Sequence, residues 1–302
     1  MALSRSQLLK ELEPGLNAIF GMDYKGYEEE HKFLFDSQTS DKAFEEDLLF
    51  PGFGAAAVKN EGSAVTYGET GEAWVARYNH ETIALAFAIT EEAMEDNLYD
   101  SLSKRLSKFL ARSMAHTKQV KAAAVYNNAF SSSYLGGDGV ALLSTAHPLQ
   151  SGATGSNKPA TDADLSESSL ESLLVQIAGW TDDKDIPIAV MPRSLIIPRQ
   201  LVFVAERLLK TPLRVDSANN DISALVSMSS LPEGYHVNHR LTDTDAWFIR
   251  TDAPDGLKHF QRRPVVTKME GDFETGNVRY KARERYSFGW SDWRALAGSQ
   301  GA

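Results

Sequence analysis

The chain has 302 residues, a net charge of −10, 42% hydrophobic and 24% charged residues, and no cysteine. That length lies where a single core usually divides into lobes. Without cysteine there are no disulfides, thiolate metal sites or cysteine nucleophiles, and the acidic balance argues against a general nucleic-acid coat while leaving room for a local basic patch.

No run approaches the roughly 18 apolar residues of a membrane helix, and MALSRSQLLKELEPG lacks a signal-type apolar core. Residues 1–50 read as an arm. Leu8, Leu9 and Leu12 form one short amphipathic stretch before Pro14, and Leu16, Ile19 and Phe20 form a second. YKGYEEEHKFLFD and KAFEEDLLF then alternate acidic clusters with aromatic and aliphatic knots. Such a segment cannot bury its apolar residues against itself, so it is expected to lie on its own subunit or on a neighbour. An irregular N-terminal subdomain is the other reading.

Residues 51–89 read as a long two-stranded ribbon. AAAVKNEGSAVTY is the first leg, GETGE the turn, and AWVARYNHETIALAFAI the second leg. Trp74, Ala76 and Tyr78 share one strand face, whereas Ile83, Leu85, Phe87 and Ile89 take the opposite parity. That switch predicts a bulge or a change of covering partner. A lone two-stranded ribbon is marginal in water, so its cover is expected from another chain; a hairpin within an ordinary sheet is the alternative.

From Thr90 to Phe130 about forty residues run without Gly or Pro. Thr90 is the expected N-cap, and Glu91, Glu92, Glu95 and Asp96 complement the helix dipole. Met94, Leu98, Leu102, Leu106, Leu110 and Met114 recur at every fourth position, widened by Phe109. A helix of this length would reach ~60 Å.

Residues 131–163 are loop-rich, with a turn at Gly136-Gly137-Asp138-Gly139 and no phosphate-loop motif. Residues 164–231 read as an α/β lobe. Asp164 and Ser168 each have Glu three residues on, a capping-box pattern. Leu170, Leu173, Leu174 and Ile177 form a helical stripe stopped by Gly179, IPIAVMPRSLIIP is a buried strand region, and Pro198 opens a second helix. Residues 235–302 return to strands. In VRYKARERYSFGW, Val278, Tyr280, Ala282, Tyr286, Phe288 and Trp290 face one way with Glu284 the exception, while Arg279, Lys281, Arg283 and Arg285 form a basic face on the other. Carboxylates are the expected partners of those cations, with Glu45, Glu46 and the acidic start of the long helix as candidates.

No catalytic, cofactor or metal constellation emerges. His236 and His239 are three apart on a strand, hence on opposite faces. Ser144 and His147 lack a nucleophile elbow, Ser101-Leu102-Ser103-Lys104 stands without companion motifs, and Asp182, Asp183 and Asp185 fit a solvated turn better than a cation loop. The sequence therefore points to a structural role.

The order of arm, loop, long helix, α/β lobe and returning strand resembles the major capsid proteins of tailed double-stranded DNA bacteriophages, of Hong Kong ninety-seven type fold. KAFEEDLLFPGFGAAAVKNEG, HETIALAFAITEEAMEDNLYDSL, STAHP, ANNDISAL, LPEGYHVNHRLTDTDAWF and YKARERYSFGWSDWR carry the likeness from Lys42 to Arg294. The resemblance implies an α+β chain with an N-terminal arm (1–50), an extended loop (51–89), a peripheral domain (90–163 and 264–302) with spine helix 90–130, and an axial domain (164–263). It implies self-assembly into hexamers and pentamers of an icosahedral shell. Phe20, Phe50, Trp74, Arg77 and Tyr78 are then inter-subunit contact candidates. Expected partners are a portal protein, a separate scaffolding protein and a decoration or cement protein, with the double-stranded DNA enclosed but not read in sequence. The implied location is the virion, assembled in the bacterial cytoplasm. A nanocompartment shell of the same fold, and an enzyme with an unrecognised site, are the alternatives. Lys59 and Asn60 of the loop have no assigned crosslinking role.

Overall fold

The computed structural model describes residues 5–68, 70–90, 92, 99–213, 221–272 and 276–302. The first half comprises α1 (Arg5–Gly26), α2 (His31–Leu34), β1 (Asp36–Thr39), β2 (Phe44–Leu48), β3 (Val75–Asn79), β4 (Glu81–Ile89) and α3 (Tyr99–Asn127). Then come β5 (His147–Pro148), β6 (Thr154–Gly155), α4 (Glu167–Ala178), β7 (Pro192–Ile197), α5 (Val202–Lys210) and α6 (Ala224–Ser227). The last part holds β8 (Tyr235–Val237), β9 (Trp247–Thr251), β10 (Leu257–Gly271), β11 (Val278–Trp290) and β12 (Leu296–Ser299). Two four-stranded sheets organise them, in the orders β1-β10-β11-β4 and β12-β9-β7-β8.

The first sheet is built on β11, whose residues 278–286 alternate buried and largely exposed as the sequence predicts. The inward face carries Tyr280 and Ala282 and packs on Leu110, Ala111 and Met114 of α3 and on Leu16 and Phe20 of α1. β10 pairs along β11, with register shifts between Gln261 and Val266. Pro264 lies inside that interval; having no N–H to give the ladder, it belongs at such an irregularity. β10 is absent from the sequence reading because Pro264 and the RR pair hide the alternation of Val265, Thr267 and Met269.

The arm is woven into its own subunit. Pro14 does not split it: α1 is one helix of 22 residues with Pro14 inside. An interior proline costs about 3 kcal/mol, and burial of Leu16 (2% exposed) and Phe20 (3%) against α3 and β11 offsets it. β1 pairs in parallel with β10 and β2 antiparallel with β3.

α3 has 29 residues, ~43 Å at 1.5 Å each. Glu91, Met94, Glu95, Asp96 and Leu98 of the expected longer helix lie outside the described residues. The buried face also differs from the expected one. Leu102 and Phe109 are exposed, while Ser103, Ser107, Ala111, Ala122, Ala123 and Tyr126 are buried. Every fourth residue advances 400° on a helix of 100° per residue, so a strict four-residue stripe drifts around the rod. Leu110 and Met114 are buried as expected, and the face that packs recurs at three and four, adding small residues that let α1 approach: Ser107 Oγ donates to the Leu16 carbonyl at 3.3 Å.

Where α2, α3 and the sheet meet, the interior is polar. Lys118 Nζ lies 2.6 Å from Glu284 Oε1, both almost fully buried, and Tyr24 Oη donates to Glu284 Oε2 at 3.0 Å. Glu284, the exception in the strand pattern, thus receives a lysine and a tyrosine. Burial, and then the Glu284 charge, push the Tyr24 hydroxyl well above its ordinary range. His31 and His259 sit alongside, ring centroids 5.1 Å apart. Gln119 Nε2 is 3.0 Å from His31 Nδ1, and Ser37 Oγ is 3.0 Å from His259 Nδ1. Burial, then the Lys118 charge, lower His31 to about 4 and His259 to about 3.

Because both folded pKa values lie below the ordinary ~6.5 of histidine, the unfolded chain takes up these protons first. Stability from the pair is therefore complete above about pH 6.5 and is lost as pH falls toward 4, by on the order of 3 kcal/mol for His31 alone. Thermal melts from pH 7 to 4 should show that decline. The variant His259→Phe, which keeps a ring on Phe288, should lessen it and leave the part due to His31.

The second sheet is central to the larger core, where Leu195, Ile196, Ile197, Trp247, Phe248 and Leu296 are buried. It takes β9 and β12 from either side of the boundary expected at 263/264, since Leu296–Ser299 pairs with Trp247–Arg250. α4 buries Leu170, Leu173 and Ile177 and ends at Gly179 as expected, but its capping box is Ser166 with Ser169, and neither Asp164 nor Ser168 serves.

Candidate assembly surface

Between β2 and β3 the chain makes an excursion with no strand or helix among its described residues, 49–68 and 70–74. The expected two-stranded ribbon is not formed. Its second leg divides at His80 into β3, which pairs with β2, and β4, which pairs with β11. The change of parity between Tyr78 and Ile83 is thus a change of partner. The first leg, 55–67, pairs with nothing among the described residues.

The root of the excursion is closed by two backbone hydrogen bonds, Leu49 N–H to Trp74 O at 2.9 Å and Ala73 N–H to Leu49 O at 3.0 Å. Below them a polar chain ties β2, β3, β10 and the end of β11 together. Tyr78 Oη lies 2.6 Å from Ser291 Oγ, which donates to Asp47 Oδ2 at 2.7 Å. Lys258 Nζ reaches the same Asp47 oxygen at 2.6 Å and Asp255 at 2.9 Å. Burial draws the Lys258 ammonium down, but the hydrogen bonds to Asp47 and Asp255 outweigh it and leave its pKa raised. Gly289 completes the root, since a Cβ there would come within 2.8 Å of the Tyr78 ring. Gly289→Ala should therefore cost about 1–3 kcal/mol, read as an earlier urea midpoint.

Of the five contact candidates, two turn inward. Phe20 is buried between α1, α3 and the sheet, and Tyr78, 3% exposed, packs on Phe260. Both find apolar cover inside their own chain, so neither offers a free surface. Trp74 is half-buried at the root. Arg77 is exposed above the Phe44 ring, 4.0 Å from its centroid, and 3.7 Å from Glu46. Phe50 is 62% exposed. Sequence reasoning passed over Phe53, Val58, Val65 and Tyr67, the last 91% exposed. Their signal was present: apolar residues in a segment too short and too Gly-rich to fold on itself.

Beside the root opens a cleft of about 540 Å³, lined by Phe50, Pro51, Asp182, Asp252, Asp255 and Lys258 among others. Its carboxylates are committed. Asp183 and Asp292 hold Arg294, Asp252 pairs with Arg193, and Asp182 caps the turn at Lys184 and Ile186.

The basic row lies on the outward face of the first sheet. Arg279 pairs with Asp272, and Arg285 donates to the carbonyls of Ala43 and His80. Glu45 and Glu46 do not reach the row: Glu45 binds Lys42 and Ser40, and Glu46 faces Arg77. Lys281 and Arg283 make no hydrogen bond or ion pair among the described residues.

A family profile described as phage capsid protein matches residues 74–299. No curated protein sequence matches the chain. Among solved structures, the capsid of cyanophage P-SCSP1u is similar with a TM-score of 0.55 at 12% identity, covering 89% of this chain and 86% of that one. The virus-like particle from Pyrococcus furiosus gives 0.51 at 11% identity, covering 94% and 97%. The SrpI encapsulin complex from Synechococcus elongatus gives 0.52 at 11% identity, covering 89% and 86%. At such identities the likeness is one of fold, an α+β capsid fold of Hong Kong ninety-seven type.

Proposed function

The chain belongs to the phage capsid protein family, and on that premise we propose that it is the major head protein of a tailed phage. Copies join by heterologous contacts into hexamers and pentamers that tile an icosahedral shell around double-stranded DNA. The observation that carries this reading is the excursion 50–72, which the subunit extends with its apolar side chains largely uncovered: Val58 and Tyr67 are more than 90% exposed, and Phe53 and Val65 more than 60%. Burial of such side chains contributes about 1.5–3 kcal/mol each, which a neighbouring copy can supply.

In this proposal 1–50 is the arm and the excursion is the extended loop. Strands β4, β10 and β11 with α3 form the peripheral domain, on which the arm's α1 and β1 lie, and the second sheet with α4 and α5 forms the axial domain. A portal, a separate scaffolding protein and a decoration or cement protein complete the head, which forms in the host cytoplasm and encloses DNA without reading its sequence. Electron microscopy of the purified protein tests the reading. Closed shells or capsomers are expected; compact monomers at all concentrations would reject it.

A second reading, a nanocompartment shell, has the encapsulin likeness in its favour. Particles purified from the native source distinguish the two, since a packaged genome marks a virion and an enclosed enzyme marks a compartment.

A further inference from the structure

The long helix α3 carries a second set of cations, apart from those of β11. From Ser101 to Gly137 the chain has no Asp or Glu, although it holds 41 of them in all, so beyond its first two residues α3 has no acid of its own. Lys118 and Lys121 are answered from outside the helix, by Glu284 and Glu81. Arg105, Lys108 and Arg112 are exposed and make no hydrogen bond or ion pair among the described residues. Together with the exposed Lys104 they fall within an arc of about 100° and a length of ~12 Å along the helix. Lys104 and Lys108, and again Lys108 and Arg112, stand four residues apart, a spacing at which like charges weaken a helix. Helix stability therefore does not account for the row. Further along the same side, Ala115 and Gln119 are buried, Gln119 by the arm at His31. Across a groove from Arg112 stand Glu28 and Glu30, the second already held by Arg240 and His239. The row is thus an open cationic strip that ends where the arm crosses the helix.

We propose that this strip of α3 faces the interior of the shell and rests on the phosphate backbone of the enclosed double-stranded DNA. The inference rests on the virion reading above and names the surface that touches the genome. One strand of a duplex carries a phosphate about every 3.4 Å along its axis, so ~12 Å of helix lies over about three of them. Lysines and arginines set against phosphates supply affinity that is independent of sequence, as a wall that does not read the DNA requires. An acidic helix of another protein is the rival occupant. Such a helix seats on an apolar seam bordered by charges on both sides. Leu102 and Phe109 are exposed on the neighbouring face of α3, but the cations border them on one side only, and exposed apolar residues of this kind are ordinary on a protein surface.

Two measurements test it. Formaldehyde applied to filled particles should join DNA to Lys104 or Lys108, as read by mass spectrometry of the DNA-bound peptides. The triple variant Arg105→Gln, Lys108→Gln and Arg112→Gln should form shells at the unaltered yield, because the side chains it changes are exposed and unpaired. Binding of its unassembled subunit to a short DNA duplex should depend less steeply on salt. The slope of log K against log salt should fall by ~2.7, about 0.9 for each cation removed. The matched variant Lys268→Gln, Lys281→Gln and Arg283→Gln, on the first sheet, should leave that slope unchanged. An equal fall in the matched variant would mean that net charge is all the DNA senses, and would overturn the proposal. So would crosslinks confined to other lysines. A triple variant that makes no shells would assign the strip to a contact between proteins, and the proposal would again be lost. Particles that enclose a protein and no DNA would instead defeat the virion reading on which it rests.

Discussion

Lys118→Met should destabilise the subunit by about 3–5 kcal/mol, among the largest effects of any single substitution in this chain. Glu284 is almost fully buried and its Oε1 has Lys118 Nζ at 2.6 Å. Without the lysine a carboxylate remains buried beside Tyr24 and Tyr286, and charge burial without a partner is what makes such changes severe. The double variant Lys118→Met with Glu284→Gln should recover most of the loss, because a neutral amide there leaves no uncompensated charge. Gln also keeps an acceptor for the Tyr24 hydroxyl, 3.0 Å from Glu284. Urea unfolding of the unassembled subunit measures both. Equal destabilisation by the single and double variants would mean that packing, not charge, is the loss. The pair lies between α3 and β11, so its failure would separate the long helix from the sheet that carries the basic row.

Replacing residues 51–72 by a short Gly-Ser link should have the opposite profile: subunit stability unchanged, assembly abolished. Nearly every described residue of that stretch is exposed, and the root is closed by its own hydrogen bonds between Leu49 and Ala73-Trp74. Its removal unpairs no strand, and Pro51 is the one buried residue among those described in it. In an assembled shell, by contrast, the loss of Phe53, Val58, Val65 and Tyr67 from an interface would forgo about 1.5–3 kcal/mol for each side chain buried there. Multiplied over every copy, that is decisive for a closed particle. Sedimentation of shells alongside thermal melting of subunits reads the two effects separately. A shortened chain that still closes into particles would show that the excursion is not an assembly contact.

Both expectations draw on features that differ in how far the sequence exposes them. The alternation of Val278, Tyr280, Ala282 and Tyr286 with Arg279, Lys281, Arg283 and Arg285 was legible because strand periodicity is local. So were the stripe of Leu170, Leu173 and Ile177 and its stop at Gly179, and the lack of self-cover in the loop. Sequence pattern states which residues share a face; it does not state what that face meets. Hence Phe20 and Tyr78, read as contacts for a neighbour, lie inside their own chain, because the arm returns to α3 and β3 to the end of β11. The buried face of α3 keeps Leu110 and Met114 of the expected stripe but otherwise takes in serines and alanines because α1 packs there, across a sequence gap of 91 residues at the Ser107–Leu16 contact. Glu284, an interruption in the strand code, became intelligible only once Lys118, 166 residues away, stood beside it.

The subunit's periodic elements are thus written in neighbouring residues, whereas the pairing of its charges and the inward or outward fate of its aromatics are not. Those depend on contacts between distant segments, whose closure entropy and desolvation are settled only when the whole chain is folded.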